Sequence, residues 1–261
     1  MDELHEKLKA LKENLEEMGR VAVAFSYGVD STFLLKTAHE VLGDNVIAIT
    51  ARSVVLPKIE AEEGTEFCKA EGIRQLMVDY DILADKTVRT NPIDRCYYCK
   101  RRLMESFLKL AESEGFTILI EGSNLDDESD YRPGMKALKE LGVLSPLKEA
   151  GLTKQDIRLL SKEMDLPTWD KPSMACLATR IPYDEELTIE KLHKIELAEN
   201  ILQKYGFGWR RVRMHGNLAR IELGKKEIPK MLDPEIAEAV AYEIKELGFE
   251  FVTLDLKGRN L

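Results

Sequence analysis

The sequence predicts an α/β fold, a doubly wound parallel sheet, followed by a smaller α+β domain at the C-terminal end of the chain. Three observations support this prediction. Short apolar runs alternate with stretches of helical spacing up to about residue 121, which is typical of a parallel sheet covered by helices. A tight polar turn joins the first apolar run to its helix, where such sheets bind ligands. Beyond residue 185 the order changes to helix, strand, strand, helix, strand.

Runs of Val, Ile and Leu and the spacing of apolar residues predict the elements of the first domain. They are a helix over 2–18, strands over 21–25, 45–50, 74–79 and 117–121, and helices over 32–42, 57–71, 98–114 and 153–165. Thr153, with Asp156 three residues later, is close to a capping box at the start of the last helix.

The second domain is predicted from the same signals. Its elements are a helix over 185–205, a hairpin of strands over 209–214 and 218–223 around His-Gly-Asn, a helix over 234–247 and a strand over 250–256. We place the boundary in the Pro-rich connector LPTWDKPSMACLATRIP, which gives domains of residues 1–170 and 171–261.

Composition narrows the function classes. The chain of 261 residues is 44% apolar and 33% charged, and no apolar run approaches the roughly 20 residues that span a bilayer. The charged N-terminal segment lacks a signal-peptide core, so a cytoplasmic protein without membrane contact is expected. A net charge of −9 argues against a nucleic-acid partner but leaves room for a local basic pocket that binds a small phosphorylated substrate.

The polar turn after the first strand has the features of an anion site. It reads Ser26, Tyr27, Gly28, Val29, Asp30, Ser31. The first amides of the following helix have no internal partner and favour negative charge, and the serine hydroxyls add donors. Asp30 suits a magnesium ion that bridges phosphates. An ordinary strand-to-helix connection is the alternative interpretation.

The acidic loop after the fourth strand is a second candidate for the same site. Gly122 permits close approach of the backbone to a ligand, and Asp126 and Asp127 could hold magnesium or position a ribose. An acidic surface loop is the alternative. Placement after a strand favours the functional interpretation.

Cysteine usage indicates metal or thiol chemistry, because four cysteines in a cytoplasmic chain rarely form structural disulfides. Cys96 and Cys99 form a C-x2-C pair near a predicted helix start, a spacing at which two thiolates can bind one metal or cluster; half of a zinc site and a redox pair are alternatives. Cys68 is predicted to be a buried core thiol. Cys176 precedes Arg180 by four residues, which favours a thiolate.

Arginines crowd the hairpin of the second domain. Arg211 and Arg213 are predicted to share one strand face, with Arg220 across the turn. Guanidinium groups bind phosphate through paired hydrogen bonds, so the cluster is a candidate phosphate site. Solvation at the surface is the alternative.

The turn SYGVDS resembles the SGGxDS sequence of the PP-loop ATP pyrophosphatases, whose fold is that of the adenine nucleotide alpha hydrolases. The resemblance implies cleavage of ATP between the α- and β-phosphates. Tyr27 stands where that family usually has glycine. If the position requires a positive φ, Tyr27 carries a penalty that glycine avoids.

The motifs of the whole chain, taken in order, resemble the LarE family of sulfur transferases. They are the PP-loop, NPxxRCYxCK, NLDDxxDYRPG, SPLKEAGLTKxxIRxLSK, LPTWDKPxxACLATRIPY and RVRxHGxLARIE. The resemblance implies an enzyme that adenylylates the carboxylates of pyridinium-3,5-biscarboxylate mononucleotide with ATP and converts them to thiocarboxylates for the nickel-pincer nucleotide cofactor. It also implies a homo-oligomer, a hexamer.

The resemblance assigns roles to residues. The turn Ser26–Ser31 would bind pyrophosphate, and Asp30 with Asp126 would hold Mg²⁺. Cys176 would take the position of the sulfur donor. The remaining roles are phosphate or adenylate binding by Arg180, Arg213 and Arg259, and metal-site carboxylates at Glu199 and Glu222.

The pair Cys96 and Cys99 points to a three-cysteine branch of that family. By resemblance, this branch holds a 4Fe-4S cluster on three thiolates, here with Cys176, and its open iron can bind hydrosulfide from an external sulfide donor. In the sacrificial branch, Cys176 itself would lose its sulfur. Rival interpretations are a tRNA thiolase of the same class, an amide-forming PP-loop ligase, and a cluster or zinc carrier with an inactive PP-loop.

Overall fold

A computed structural model describes residues 3–56, 58–128, 133–172 and 176–259. Parts of the acidic and Pro-rich motifs, residues 129–132 and 173–175, lie outside the described residues. The helices are α1 (Glu3–Met18), α2 (Val29–Leu42), α3 (Lys58–Ala70), α4 (Lys86–Arg89), α5 (Arg95–Ser113), α6 (Pro133–Leu141), α7 (Pro146–Glu149), α8 (Lys154–Glu163), α9 (Ile189–Lys204), α10 (Ile228–Met231) and α11 (Pro234–Glu246). The strands are β1 (Val21–Ala24), β2 (Val46–Arg52), β3 (Arg74–Asp79), β4 (Ile118–Ile120), β5 (Arg210–His215), β6 (Leu218–Leu223) and β7 (Phe251–Leu254).

The chain divides into two compact units. Among the described residues, the first unit comprises 3–53, 58–81 and 94–172, and the second comprises 54–56, 82–93 and 176–259. The second unit therefore takes in two short stretches from the N-terminal half of the chain in addition to the C-terminal part.

The first unit contains a parallel sheet of four strands in the order β3-β2-β1-β4. This confirms the predicted α/β class. Val21 pairs with Val46 on one side and with Ile118 on the other, so β1 lies between its two partners. The chain order reverses at β1, because β2 and β3 extend the sheet to one side and β4 to the other. Ligands of open parallel sheets bind at such a reversal, outside the carboxyl ends of the strands.

Helices α1, α2 and α8 pack with this sheet into one apolar core. Their inward side chains are almost fully buried; examples are Leu11, Leu15, Phe33, Leu34 and Leu160. Cys68 belongs to the same core at 1% exposure, as predicted.

The capping box of α8 is confirmed. Thr153 Oγ1 accepts from the amide of Asp156 at 3.1 Å, and Asp156 Oδ2 accepts from the amide of Thr153 at 3.0 Å. Two donors at the start of the helix are thereby satisfied.

The second unit contains a three-stranded sheet in the order β5-β6-β7. Strands β5 and β6 form the predicted antiparallel hairpin, and β7 pairs with β6 in parallel. Helix α9 covers this sheet with Leu192, Ile195, Ala198 and Leu202, all fully buried. The predicted α+β order is confirmed, with the short helix α10 as an addition before α11.

Two helices of the first unit begin earlier than predicted. Helix α2 begins at Val29, three residues before the predicted start at Thr32, with Gly28 as its N-cap. Helix α5 begins at Arg95 and not at Tyr98, which places Cys96 in its first turn. In the described part of the chain, no helix is both long and apolar enough to cross a membrane.

Candidate functional site: a nucleotide site and an arginine cluster

The turn after β1 is held by its own polar groups. Ser31 Oγ donates to the carbonyl of Gly28 at 3.2 Å and accepts from the amide of Ser26 at 3.3 Å. The hydroxyls of Ser26 and Ser31 lie 3.2 Å apart. Tyr27 adopts φ 57°, in the left-handed region. The position therefore has the positive φ considered in the sequence analysis, and Tyr27 carries the penalty that a glycine would avoid. The turn brings together all the predicted PP-loop residues, at the place where β1 ends and α2 begins.

Gly122 lies against the first turn of α2. A Cβ atom at Gly122 would stand 3.0 Å from the amide nitrogen of Ser31 and 3.2 Å from its Cα. The close approach predicted for this glycine is therefore made to the backbone of the anion-binding helix. Because β4 pairs with β1 in register, the loop after β4 lies beside the turn after β1.

Lys154 links the two residues predicted to bind magnesium. Its ammonium donates to the Asp30 carboxylate, and its amide donates to Asp126 Oδ2 at 2.8 Å. The side-chain amide of Asn124 donates to the other carboxylate oxygen of Asp30 at 3.4 Å. Burial raises the pKa of the Asp30 carboxyl, and its contacts with Lys154 and Asn124 oppose that rise. The ammonium of Lys154 is thus bound to one of the two carboxylates predicted to hold magnesium.

A buried carboxylate follows β4 directly. Glu121 is 7% exposed and accepts from Ser123, at its amide and hydroxyl, and from the hydroxyl of Ser145 at 2.6 Å. Lys100 lies 3.4 Å from the same carboxylate. These residues, like Lys154 and Asn124, were missed by the sequence analysis.

The C-x2-C pair lies at the start of α5. Cys96 and Cys99 are three residues apart on this helix, so they lie on neighbouring positions of one face. Cys96 is exposed, Cys99 is half-buried, and both are thiols. A guanidinium nitrogen of Arg95 lies 3.8 Å from the sulfur of Cys96. Cys176 is also a half-buried thiol, and it belongs to the second unit, as N-cap of the 3-10 turn Leu177–Arg180.

Arg180 is engaged within the second unit. Its side chain is 1% exposed and pairs with Glu199 through Nε at 2.8 Å and Nη2 at 3.2 Å. The remaining nitrogen donates to Thr179 Oγ1 at 2.9 Å. Glu199 Oε1 also accepts from the amide of Val212 at 3.0 Å. The two residues were predicted as ligands of phosphate and metal. Their pair holds the 3-10 turn to α9, and Glu199 also holds α9 to β5.

Arg213 and Glu222 lie on paired strands of the hairpin. One oxygen of Glu222 accepts from Arg213 and, at 2.9 Å, from Arg220. Its other oxygen, Oε2, is buried and makes no hydrogen bond among the described residues. An unpaired buried carboxylate oxygen costs free energy unless it meets a cation or donor. Glu222 therefore fits the predicted role as a metal ligand better than Glu199 does.

Two guanidinium groups lie over the ring system of Trp209. Arg211 lies 4.9 Å from the centre of its ring system and Arg259 lies 5.5 Å from it. Burial and three neighbouring guanidiniums lower the pKa of Arg211 to about 10. Those neighbours are Arg180, Arg259 and Arg213. Arg211 stays charged at neutral pH, and the surrounding positive potential attracts anions.

The predicted metal ligands do not all come together as one set. Across the described ranges, no three His, Cys, Asp or Glu side chains are grouped as a metal centre. Asp30 bonds to the ammonium of Lys154 and Asp126 to its backbone amide, and Cys96 lies one helical turn from Cys99. Magnesium and a 4Fe-4S cluster therefore remain predictions.

Two curated relatives cover almost the whole chain. The protein is 40% identical over 255 residues to an uncharacterized protein of Synechocystis, and the match spans 98% of this chain and 95% of the relative. It is 36% identical over 259 residues to pyridinium-3,5-bisthiocarboxylic acid mononucleotide synthase of Lactiplantibacillus plantarum, with 99% and 93% covered. No protein-family model matches the chain.

A third relative has a more distant relation. A glutamine-hydrolyzing GMP synthase component of Methanococcus maripaludis is 24% identical over 229 residues, 77% of this chain and 73% of the relative. The parallel sheet, with a serine- and aspartate-bearing turn at the point where its strand order reverses, defines an α/β enzyme of the PP-loop class. Within that class, identity to the mononucleotide synthase along nearly the full length shows that the chain belongs to the LarE family.

Proposed function

We propose that this protein is an ATP-dependent sulfur transferase that converts the carboxylates of pyridinium-3,5-biscarboxylate mononucleotide to thiocarboxylates, in the synthesis of the nickel-pincer nucleotide cofactor. The observation that carries the proposal is the 36% identity over 259 residues to the synthase of the bisthiocarboxylic product. The PP-loop turn at the order reversal of the sheet supports the requirement for ATP.

The first half-reaction needs a better leaving group, because a carboxylate is a poor acyl electrophile. A substrate carboxylate oxygen attacks the α-phosphorus of ATP, the bond to the β-phosphate oxygen breaks, and pyrophosphate leaves. The amides at the start of α2 and the hydroxyls of Ser26 and Ser31 would bind the pyrophosphate. In the second half-reaction a sulfur nucleophile attacks the acyl carbon and AMP leaves.

Magnesium would be held by Asp30 and Asp126 and would offset the charge of the leaving pyrophosphate. Their oxygens suit this ion, but Lys154 must first leave the Asp30 carboxylate. The lysine would then be a mobile cation beside the phosphates. We propose this exchange as the first event when Mg-ATP binds.

The second unit would bind the substrate phosphate. Arg259 is exposed and Arg211 half-buried, both on Trp209, while Arg213 reaches both Glu222 and the carbonyl of Thr179, at 2.9 Å. Arg180, through its pair with Glu199, would act by holding the arginine cluster of the second unit together. Glu222, with its unpaired buried oxygen, would take part in holding a metal ion.

Cys96, Cys99 and Cys176 would be the three thiolate ligands of a 4Fe-4S cluster; each is a thiol with an exposed or half-buried side chain. Such a cluster would deliver the transferred sulfur, which would come from an external sulfide donor. Cys68 does not fit, because burial raises the pKa of its thiol to about 12. The protein would act in the cytoplasm as a homo-oligomer, a hexamer, without nucleic-acid or membrane partners.

Iron and acid-labile sulfide, measured after anaerobic purification, test the cluster. We expect about four irons per chain, lost in Cys176→Ala and retained in the matched control Cys68→Ala. Pyrophosphate release from Mg-ATP, dependent on the mononucleotide, tests the transferase. Iron-free wild type that turns over once and loses one hydrogen sulfide from Cys176 would contradict the cluster but not the reaction. No pyrophosphate release would contradict the reaction itself.

A further inference from the structure

The ring of Tyr27, in the PP-loop itself, is buried among Phe25, Phe67 and Gly64, a group called here the aromatic nest. Tyr27 is 9% exposed, and its ring lies 6.1 Å from that of Phe25, nearly perpendicular, and 5.9 Å from that of Phe67. Gly64 of α3 completes the nest, since a Cβ there would stand 3.2 Å from the Cβ of Tyr27. The left-handed backbone of Tyr27 is therefore held by packing of its ring.

Lys171 lies over the Tyr27 ring. Its ammonium lies 4.3 Å from the ring centre, within the range of a cation–π contact. Two carboxylates of α3 hold it there: Glu63 Oε2 at 2.9 Å and Glu60 Oε1 at 3.7 Å. Because the Lys171 side chain is only 18% exposed, this contact is partly shielded from water.

Lys171 also belongs to the stretch that leads to Cys176. Its carbonyl accepts from Arg158 of α8 at 2.9 Å, and the carbonyl of Trp169 accepts from the same guanidinium at 2.7 Å. This stretch, residues 166–172, is thereby held to α8. Cys176 follows Lys171 by five residues in the sequence.

We propose that Tyr27 and Lys171 form a clamp that couples nucleotide binding at the PP-loop to residues 166–172, the stretch that leads to Cys176. The inference rests on the proposed function in one respect, that ATP binds at this turn. The role is positioning, since neither side chain of the clamp is assigned to contact the reacting atoms.

The hydrogen bonds of the turn explain why nucleotide would act on the clamp. The hydroxyls of Ser26 and Ser31 bond with each other, and Ser31 accepts from the amide of Ser26. Phosphate oxygens compete for these same donors, so binding redirects the residues on both sides of Tyr27. A ring buried in a close-packed nest transmits such a displacement to the cation above it.

Trp169 reports on this stretch, and the test uses its fluorescence. In a Trp209→Phe background, acrylamide quenching of Trp169 is measured with and without Mg²⁺ and α,β-methylene-ATP, while calorimetry measures binding of the analogue. We expect the analogue to change the quenching constant of the parent chain. In Lys171→Met the change should be lost, with analogue affinity within about threefold of the parent, the size of one cation–π contact.

Three variants separate coupling from simple loss of packing. Lys171→Arg and Tyr27→Phe keep a cation on a ring and should keep the response. Lys162→Met is the matched control: Lys162 lies 4.8 Å over the ring of Trp169 itself, so its loss should alter basal quenching but not the response to nucleotide.

Contrary outcomes are distinguishable. An undiminished response in Lys171→Met, or analogue binding without any response in the parent chain, overturns the clamp alone. A parent chain that binds no analogue contradicts the proposed function, and the clamp with it.

Discussion

Replacing Glu199 by Gln tests whether the buried ion pair holds the second unit together. Arg180 is 2% exposed and Glu199 is 4% exposed, and the two side chains share two hydrogen bonds. Glutamine keeps the shape and one acceptor, which can still serve the amide of Val212. It removes the charge that compensates the Arg180 guanidinium.

The expected cost follows from burial. Removing one partner of a buried pair costs about 3–5 kcal/mol, because the other charge is left uncompensated away from water. The retained acceptor places Glu199→Gln at the lower end, about 3 kcal/mol. Glu186→Gln is the matched control in the same unit. It breaks the 3.1 Å pair of Arg89 and Glu186, whose side chains are 42% and 60% exposed, and should cost about 0–1 kcal/mol.

Urea unfolding followed by tryptophan fluorescence measures the difference. Trp209 belongs to the second unit and Trp169 to the first, so a Trp169→Phe background isolates the signal of interest. With a slope of about 1–3 kcal/mol per molar urea, a loss of about 3 kcal/mol lowers the midpoint by about 1–3 M. Equal midpoints for Glu199→Gln and Glu186→Gln would refute the reasoning. A change in slope alone would indicate a different unfolded or native compactness.

Three further substitutions or reactions test single features of the first unit. Gly122→Ala places a Cβ 3.0 Å from the amide nitrogen of Ser31. Thermal unfolding should therefore show a free energy of unfolding lower by about 1–3 kcal/mol, and ATP should bind more weakly. An unchanged stability and an unchanged affinity for ATP would contradict the close approach. Because burial raises the pKa of the Cys68 thiol to about 12, its thiolate is scarce below that pH. Peptide mapping after iodoacetamide at about pH 8 should therefore find it unlabelled, and labelling as fast as that of a small thiol would contradict burial. Thr153→Ala removes half of the capping box and should cost about 1 kcal/mol by urea unfolding, whereas no loss would mean that Asp156 alone caps α8.

The fold was predictable because the spacing of apolar residues along the chain indicates which stretches are strands and which are helices. Buried strands read as apolar runs and helices as spaced stripes, and the alternation of the two indicates a parallel sheet. Helix starts were less accurate, since apolar spacing does not show where a cap lies. Val29–Ser31 reads as a turn in the sequence, yet Asp30 lies in the first turn of α2, with Ser31 bonded back to Gly28.

Part of the nucleotide site consists of residues that are contiguous in the sequence, and the rest consists of residues that are far apart in the sequence and meet only in the fold. The PP-loop residues are contiguous, so their motif places them together. Lys154 meets Asp30 across 124 residues, and only the folded sheet brings them together. One signal was present: Lys154 is the first residue of α8, where the helix dipole disfavours a cation. A carboxylate beside such a lysine offsets the unfavourable dipole, and Asp30 is in that place.

In the second unit, strand periodicity predicted the arginines better than it predicted their partners. Arg213 pairs directly with Arg220, and Arg211 with Glu222, as an antiparallel hairpin around His-Gly-Asn requires. The engagement of Arg180 by Glu199 had no sequence signal, because the spacing between a 3-10 turn and a helix fixes no contact. Its predicted role in phosphate binding stays a prediction.

The arginine cluster changes how the net charge of −9 bears on substrate choice. Five guanidiniums, those of Arg180, Arg211, Arg213, Arg220 and Arg259, face three carboxylates, those of Glu199, Glu222 and Asp255. This local surplus suits one phosphate group. A polynucleotide needs many cations spread along its backbone, since each neutralised phosphate adds to affinity and to salt dependence. A tRNA thiolase and a mononucleotide thiolase can share a PP-loop and cysteines, but they differ in how far positive charge extends. A small cluster in an acidic chain therefore favours the mononucleotide.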